Sequence, residues 1–245
     1  MDAAIAQRLV ALNKQFYQSL AGPFSATRGR LQPGVLRVLD GVPVEADILD
    51  LGCGNGGVAA ELERRGHQGQ YAGVDSSEEL LHVARSKVND LRATFLQADL
   101  TAINWKDQLP SVGPFDFIFA FAVLHHIPSR VLRLLFLAQV RGLLAAGGRF
   151  VLSNWQFLNS PRLRTRIQPW ETVGLSATAM DEGDFLLDWR SGGTGLRYVH
   201  HFNEREMTEL TQKGGFKQVD SFFSDGKLGN LALYQAWMAR QEERT

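Results

Sequence analysis

The chain is poor in cysteine: of its 245 residues only Cys53 carries a thiol. A single thiol excludes an intrachain disulfide and a zinc site built from cysteines, and Cys53 reads as a small residue in a tight turn. Net charge is lacking too, with 26 basic side chains against 26 acidic ones. That balance argues against an extended electropositive face for nucleic acid and leaves room for a local one. No run approaches the roughly 20 apolar residues that span a bilayer. The N-terminus shows no basic region followed by an apolar stretch and a cleavage site. A cytoplasmic protein without membrane contact is the expectation. Internal repeats and low-complexity tracts are missing as well. The 44% of hydrophobic residues suffices for one α/β core with an insertion.

The most informative stretch present is Ile48-Leu49-Asp50-Leu51-Gly52-Cys53-Gly54-Asn55-Gly56-Gly57, an apolar strand running through a glycine loop into the helical run Val58 to Arg65. Gly52, Gly54 and Gly56 allow positive φ and let a ligand approach main-chain amides. Alone, such a loop suits a plain strand-to-helix turn, a dinucleotide site or another nucleoside site. Further strand-like runs end in acids at the spacing of a strand and a crossover helix. Tyr71 to Val74 ends at Asp75, Thr94 to Ala98 ends at Asp99, and Phe115 to Val123 runs into Leu124-His125-His126. Such near-continuous apolar strands fit a parallel sheet covered on both faces, with ligands beyond the carboxyl ends. Asp50, Asp75, Asp99 and the histidine pair would converge there. The dinucleotide pattern has a two-residue gap before its third glycine, which Gly-x-Gly-x-Gly lacks. S-adenosylmethionine has no phosphate but carries an ammonium, a sulfonium and an adenine, so the number of acids favours it. Asp75 would accept from the ribose hydroxyls, Asp99 from the adenine amino group, and the loop would hold the amino-acid end. Asp50 and Asp99 also read as caps of the loop and of the helix that follows.

Ile48 to Gly56, the acids at 75 and 99, and Gly147-Gly148-Arg149-Phe150-Val151-Leu152 resemble the class I S-adenosylmethionine-dependent methyltransferases, over about Ala46 to Trp237. The resemblance implies an α/β, Rossmann-like fold: a seven-stranded, mostly parallel sheet with helices on both faces, closed by an antiparallel hairpin from Phe216 to Phe223 and Asn230 to Met238. It implies cofactor contacts at Asp50, Gly52, Cys53, Gly54, Gly56, Asp75, Ser76, Asp99, Leu100 and Ala120. A narrower set of segments, Phe24-Ser25-Ala26-Thr27-Arg28, Ala122-Val123-Leu124-His125-His126, Asn154-Trp155, Gly183 to Trp189 and Arg197-Tyr198-Val199-His200-His201-Phe202, is similar to the eukaryotic tRNA wobble-uridine carboxymethyl methyltransferases. Asp188 and Val199 depart from that pattern. The likeness implies a tRNA substrate esterified on a carboxymethyl group, and a small zinc-binding activator subunit as partner.

A helix is expected over Ala3 to Ser19, where Ile5, Leu9, Leu12 and Phe16 share one face, and another near Pro33 to Leu39; residues 1–45 would form a helical cap on a domain spanning 46–245. Glu78 to Asn89, opened by Ser76 or Ser77, and Arg130 to Leu144 read as amphipathic helices. Periodicity fails over 158–197, which reads as a loop-rich lid. Within it Arg162, Arg164 and Arg166 alternate with other residues, as on a solvated face or on the rim of the substrate side.

Methyl transfer from a sulfonium is an in-line displacement, so the acceptor must be aligned and water kept out. A carboxylate acceptor is already ionised and needs orienting donors, for which Arg28, Arg197 and His125 or His200 are the candidates. An amine or hydroxyl acceptor would instead use His125 or His126 as base. Trp155, Trp189 and Tyr198 read as packing residues or as surfaces against which a base stacks. Three functions follow: a tRNA carboxyl methyltransferase, a methyltransferase for a metabolite acid, phenol or quinone precursor, and a cofactor-binding scaffold without turnover.

Overall fold

The computed structural model describes residues 1–20, 22, 29–109 and 113–240. Its main sheet holds β1 (Ile48–Leu51), β2 (Tyr71–Asp75), β3 (Ala93–Gln97), β4 (Phe115–Phe121), β5 (Leu144–Trp155), β9 (Phe216–Ser224) and β10 (Ala232–Ala239). The order is β3-β2-β1-β4-β5-β10-β9. The first five strands pair in parallel, and β10 runs antiparallel to both of its neighbours. This is the seven-stranded fold with a closing hairpin that the sequence implies.

Alternation along the strands divides the core. Ile118 and Ala120 of β4 join Leu49, Leu51, Phe150 and Leu152 beneath α5 (Arg130–Leu143) and α7 (Glu204–Lys213). Phe117 and Phe119 turn to the other face, beneath α2 (Pro33–Leu39) and α3 (Gly57–Arg64). The α4 helix (Glu78–Lys87) is opened by Ser77, whose hydroxyl accepts from the Leu80 amide. The serine satisfies an amide that the helix leaves unpaired.

Residues 158–197 are mostly turns, short 3-10 segments and irregular chain, but strands are embedded in them. They contribute most of a second sheet, β6 (Ile167–Gln168), β7 (Asp184–Trp189) and β8 (Gly195–His200), antiparallel in that order. Both faces of this sheet are covered, so its strands carry no polar face to produce a two-residue period. One face packs Leu186 and Tyr198 against Leu9 of α1 (Ala3–Ser19) and Trp170, and the other packs Leu187 and Val199 against Phe157 and Leu163. The glycine cluster ending at Gly195 supplies the β7–β8 turn.

Among the described residues no helix is long and apolar enough to cross a membrane.

Candidate functional site

The strand order reverses between β1 and β4, which leaves a crevice beyond their carboxyl ends. A cavity of about 260 Å³ occupies it. Its floor is the glycine loop with Asp50, Gly52, Cys53, Gly54 and Asn55; its walls are Asp75 and Ser76, then Asp99, Leu100 and Thr101, then Phe121, Ala122, Val123 and His126. Val10, Asn13, Lys14 and Tyr17 of α1 close it from above.

The loop is shaped by its glycines. Gly54 has φ +55 and no atom within 4 Å of where a Cβ would stand, so its backbone faces open space. Gly56 has φ +74, and a Cβ there would lie 2.8 Å from the Ala84 Cα, so this glycine serves contact between α3 and α4 and does not line the cavity. Asp75 ties the loop to β2: its carboxylate accepts from the Gly54 and Ser77 amides, each at 2.9 Å. Asp99 accepts from the Thr101 amide and hydroxyl, the cap that the sequence also allows. Asp50 caps nothing. It is 2% exposed and accepts from the Tyr71 hydroxyl at 2.6 Å. Burial, reinforced by the nearby Asp75 and opposed by the Tyr71 hydrogen bond, pushes its carboxyl up to about 7. Burial also raises Asp75, against the pull of its backbone amides, and holds the Cys53 thiol protonated, with Asp50 and Asp75 adding to the effect.

These residues fit an adenosyl sulfonium donor: an open loop backbone for its amino-acid end, successive strand-end acids, and apolar walls from Leu80, Leu100 and Val123. Ala120 does not take part, because it is fully buried on the α5 face of the sheet; the cavity meets the next residues, Phe121 and Ala122. Ala122 has φ +58, uncommon for a residue with a side chain, and its amide donates to both the carbonyl and the hydroxyl of Ser153.

The structure separates the two histidines. His126 lines the cavity, and its Nδ1 lies 3.2 Å from the Tyr198 carbonyl oxygen. A carbonyl only accepts, so Nδ1 carries the proton, and Nε2 accepts from the Tyr17 hydroxyl at 2.7 Å. His125 is 1% exposed, behind its neighbour, where its Nδ1 accepts from the Trp155 amide at 3.4 Å. Tyr17 has no sequence signal of its own. Its place follows from the docking of α1 on the small sheet, where Asn13 donates to the carbonyls of His126 and Tyr198 and accepts from the Tyr198 amide.

Two residues expected at the acceptor lie in a buried network instead. His200 is 1% exposed, with Nδ1 2.6 Å from Asp184 and Nε2 2.7 Å from Glu206. The Tyr198 hydroxyl donates to Asp184 at 2.7 Å and accepts from Arg133, which also pairs with Glu206. Neither side chain is free to meet a substrate. They fasten the small sheet to α5 and α7.

Arg197 is different. It is 5% exposed, and its guanidinium lies among three aromatic rings, 5.0 Å from Trp155, 5.3 Å from Phe16 and 5.4 Å from Trp189. Its Nε has no hydrogen-bond partner among the described residues. Trp155 and Trp189 therefore act as walls for the cation. None of Arg197, Phe16, Trp155 and Trp189 lines the cavity; the cage is linked to it through neighbours, since Phe16 packs on the Tyr17 ring at 5.1 Å and the residue after Arg197 presents its carbonyl to His126. Arg28 falls outside the described residues.

Residues 48–148 match the family model described as a methyltransferase domain. With the sheet order and the cavity, this makes residues 48–148 an S-adenosylmethionine-dependent methyltransferase domain on a Rossmann-like sheet. A protein of Encephalitozoon cuniculi named as a methyltransferase is 29% identical over 84% of this chain and 87% of its own length. A tRNA (carboxymethyluridine(34)-5-O)-methyltransferase of Macaca fascicularis is 28% identical over 58% of this chain, a segment that makes up 19% of the macaque protein. Two solved structures share the fold. The methyltransferase in complex with the Trm112 activator from Haloferax volcanii has TM-score 0.68 and 15% identity, over 95% of this chain and 99% of that one. A Burkholderia thailandensis 1,6-didemethyltoxoflavin-N1-methyltransferase, with S-adenosylhomocysteine bound, has TM-score 0.64 and 21% identity, over 98% and 92%.

Proposed function

We propose that this enzyme methylates a carboxylate, the carboxymethyl group of a modified wobble uridine in tRNA. The observation that carries the reading is Arg197, a buried cation with aromatic walls and an Nε unpartnered among the described residues, next in sequence to the Tyr198 carbonyl that meets His126 of the cavity wall. A buried charge is costly unless an anion meets it, and a guanidinium suits a carboxylate in particular. The similarity to the macaque tRNA enzyme supports the same acceptor.

S-adenosylmethionine supplies an electrophilic methyl group. The chain supplies the rest. Asp75 and Asp99 would hold the ribose and adenine, and Asp50, ionised, would face the ammonium. Arg197 would hold one carboxylate oxygen and leave the other as nucleophile. The Tyr17 hydroxyl, now given to His126, stands ready to turn to the acceptor, and α1 excludes water. A carboxylate needs no base. A second reading, a metabolite with a hydroxyl or amine, is favoured by the unprotonated His126 Nε2 and the chain's zero net charge. A small activator subunit is proposed as partner, supported by the shared fold with the Haloferax complex, and the cytoplasm as compartment.

Labelled S-adenosylmethionine, with and without such an activator, tests the proposal on bulk tRNA carrying unesterified carboxymethyluridine. Label in the tRNA is expected. Label confined to small metabolites contradicts the tRNA assignment, and binding without transfer makes the chain a scaffold.

A further inference from the structure

Between Asp116 and Glu171 the chain carries seven arginines and no acidic residue, although the whole is neutral. Three of the seven, Arg162, Arg164 and Arg166, fall within five residues at the edge of the small sheet. Arg162 and Arg164 are exposed and Arg166 half-buried. Several surface arginines elsewhere, among them Arg64, Arg85, Arg190 and Arg205, are paired with carboxylates; Arg92 and Arg149 are not, among the described residues, but neither belongs to a cluster as dense as that of Arg162, Arg164 and Arg166. These three have no carboxylate partner among the described residues. Their backbone is fixed: Pro161 opens the short helix Pro161–Arg164, Leu163 is buried with Phe157, Leu187 and Val199, and the Arg166 carbonyl accepts from the Asp188 amide.

Their placement relative to Arg197 gives the cluster its meaning. Leu163 packs on the face of the small sheet that carries Leu187 and Val199; Leu187 is the register partner of Arg197. Trp155, a wall of the Arg197 cage, stacks on Phe157 of the same cluster at 5.5 Å. The arginines therefore stand on a rigid turn a few side chains from the proposed acceptor site.

Resting on the tRNA reading above, we infer that Arg162, Arg164 and Arg166 form the docking surface for the phosphate backbone of the RNA whose modified base enters at Arg197. Phosphates are a partner that unpaired guanidinium groups on a fixed backbone hold well. Contacts of this kind position a substrate without reading its sequence, and three of them fit a protein with no net charge.

Fluorescence anisotropy with a transcribed tRNA, across a potassium chloride series, tests the surface. Changing all three to glutamine is expected to weaken binding at least tenfold at low salt and to flatten the log–log salt slope by about one unit for each arginine. Affinity for S-adenosylhomocysteine, the rate of transfer to free carboxymethyluridine, and RNA binding by the control Arg92→Gln should not change. If the parent binds tRNA and the triple variant keeps its affinity and slope, the surface is overturned while the tRNA reading stands. A parent that methylates free carboxylates but binds no RNA overturns both. Equal competition by polyglutamate overturns the assignment to RNA.

Discussion

Asp50 departs from the ordinary chemistry of an aspartate because the fold removes it from water. A carboxyl raised from 3.8 to about 7 keeps a proton that the unfolded chain gives up. Its contribution to stability is therefore present at acid pH and is lost as pH climbs from about 4 to about 7. A ligand ammonium reverses the preference. Binding S-adenosylhomocysteine at pH 6 is expected to release up to one proton, and affinity should fall as the pH drops below 7. Calorimetry in buffers of different ionisation enthalpy measures this, and Asp50→Asn should bind without the release; equal proton counts in both would remove Asp50 from the ammonium site. Asp75→Ala is expected to weaken the same ligand by about 10- to 100-fold, since it orphans ribose hydroxyls and frees the Gly54 amide. Unchanged affinity would contradict its assignment. Arg197→Met should leave that affinity unaltered and lower transfer at least a hundredfold; parallel loss of both would make Arg197 a support of the fold.

At the scale of elements, the first four parallel strands announce themselves because their runs end at an acid or a histidine pair, and the glycine loop is contiguous. The small sheet does not. Residues 184–189 alternate polar and apolar side chains poorly: Asp184 is drawn into the buried network, while Asp188, half-buried, pairs with Arg190. The same covering explains the misplaced acceptor residues. His200 and Tyr198 lie in a motif that sequence marks as functional, yet their side chains hold β7, β8, α5 and α7 together. The choice between His125 and His126 depends on one short turn, and Tyr17 on a helix docked through contacts 185 residues apart. Neither leaves a local trace. Asp184→Ala would leave His200 and the Tyr198 hydroxyl without their shared acceptor and remove a carboxylate 3.7 Å from Arg133. The expected cost is about 3–5 kcal/mol, or roughly 10 °C in melting temperature by calorimetry. A loss under 1 kcal/mol would mean the network is not what secures the small sheet.

For the whole molecule, two parts with different jobs meet at one crevice. On the proposed reading, the seven-stranded sheet offers acids and a glycine loop to the donor; the small sheet brings a caged arginine, and α1 brings Tyr17 against His126 of the turn after β4. The arrangement includes a buried arginine whose Nε has no partner among the described residues, and if Arg197 holds the acceptor as proposed, the product is a methyl ester. Esters, unlike methylated amines and ring nitrogens or ethers, release methanol in mild alkali. The most direct measurement is therefore the fate of the transferred label under such treatment, whatever molecule carries it. Full release as volatile methanol is the predicted result; label that stays on the acceptor would contradict the account.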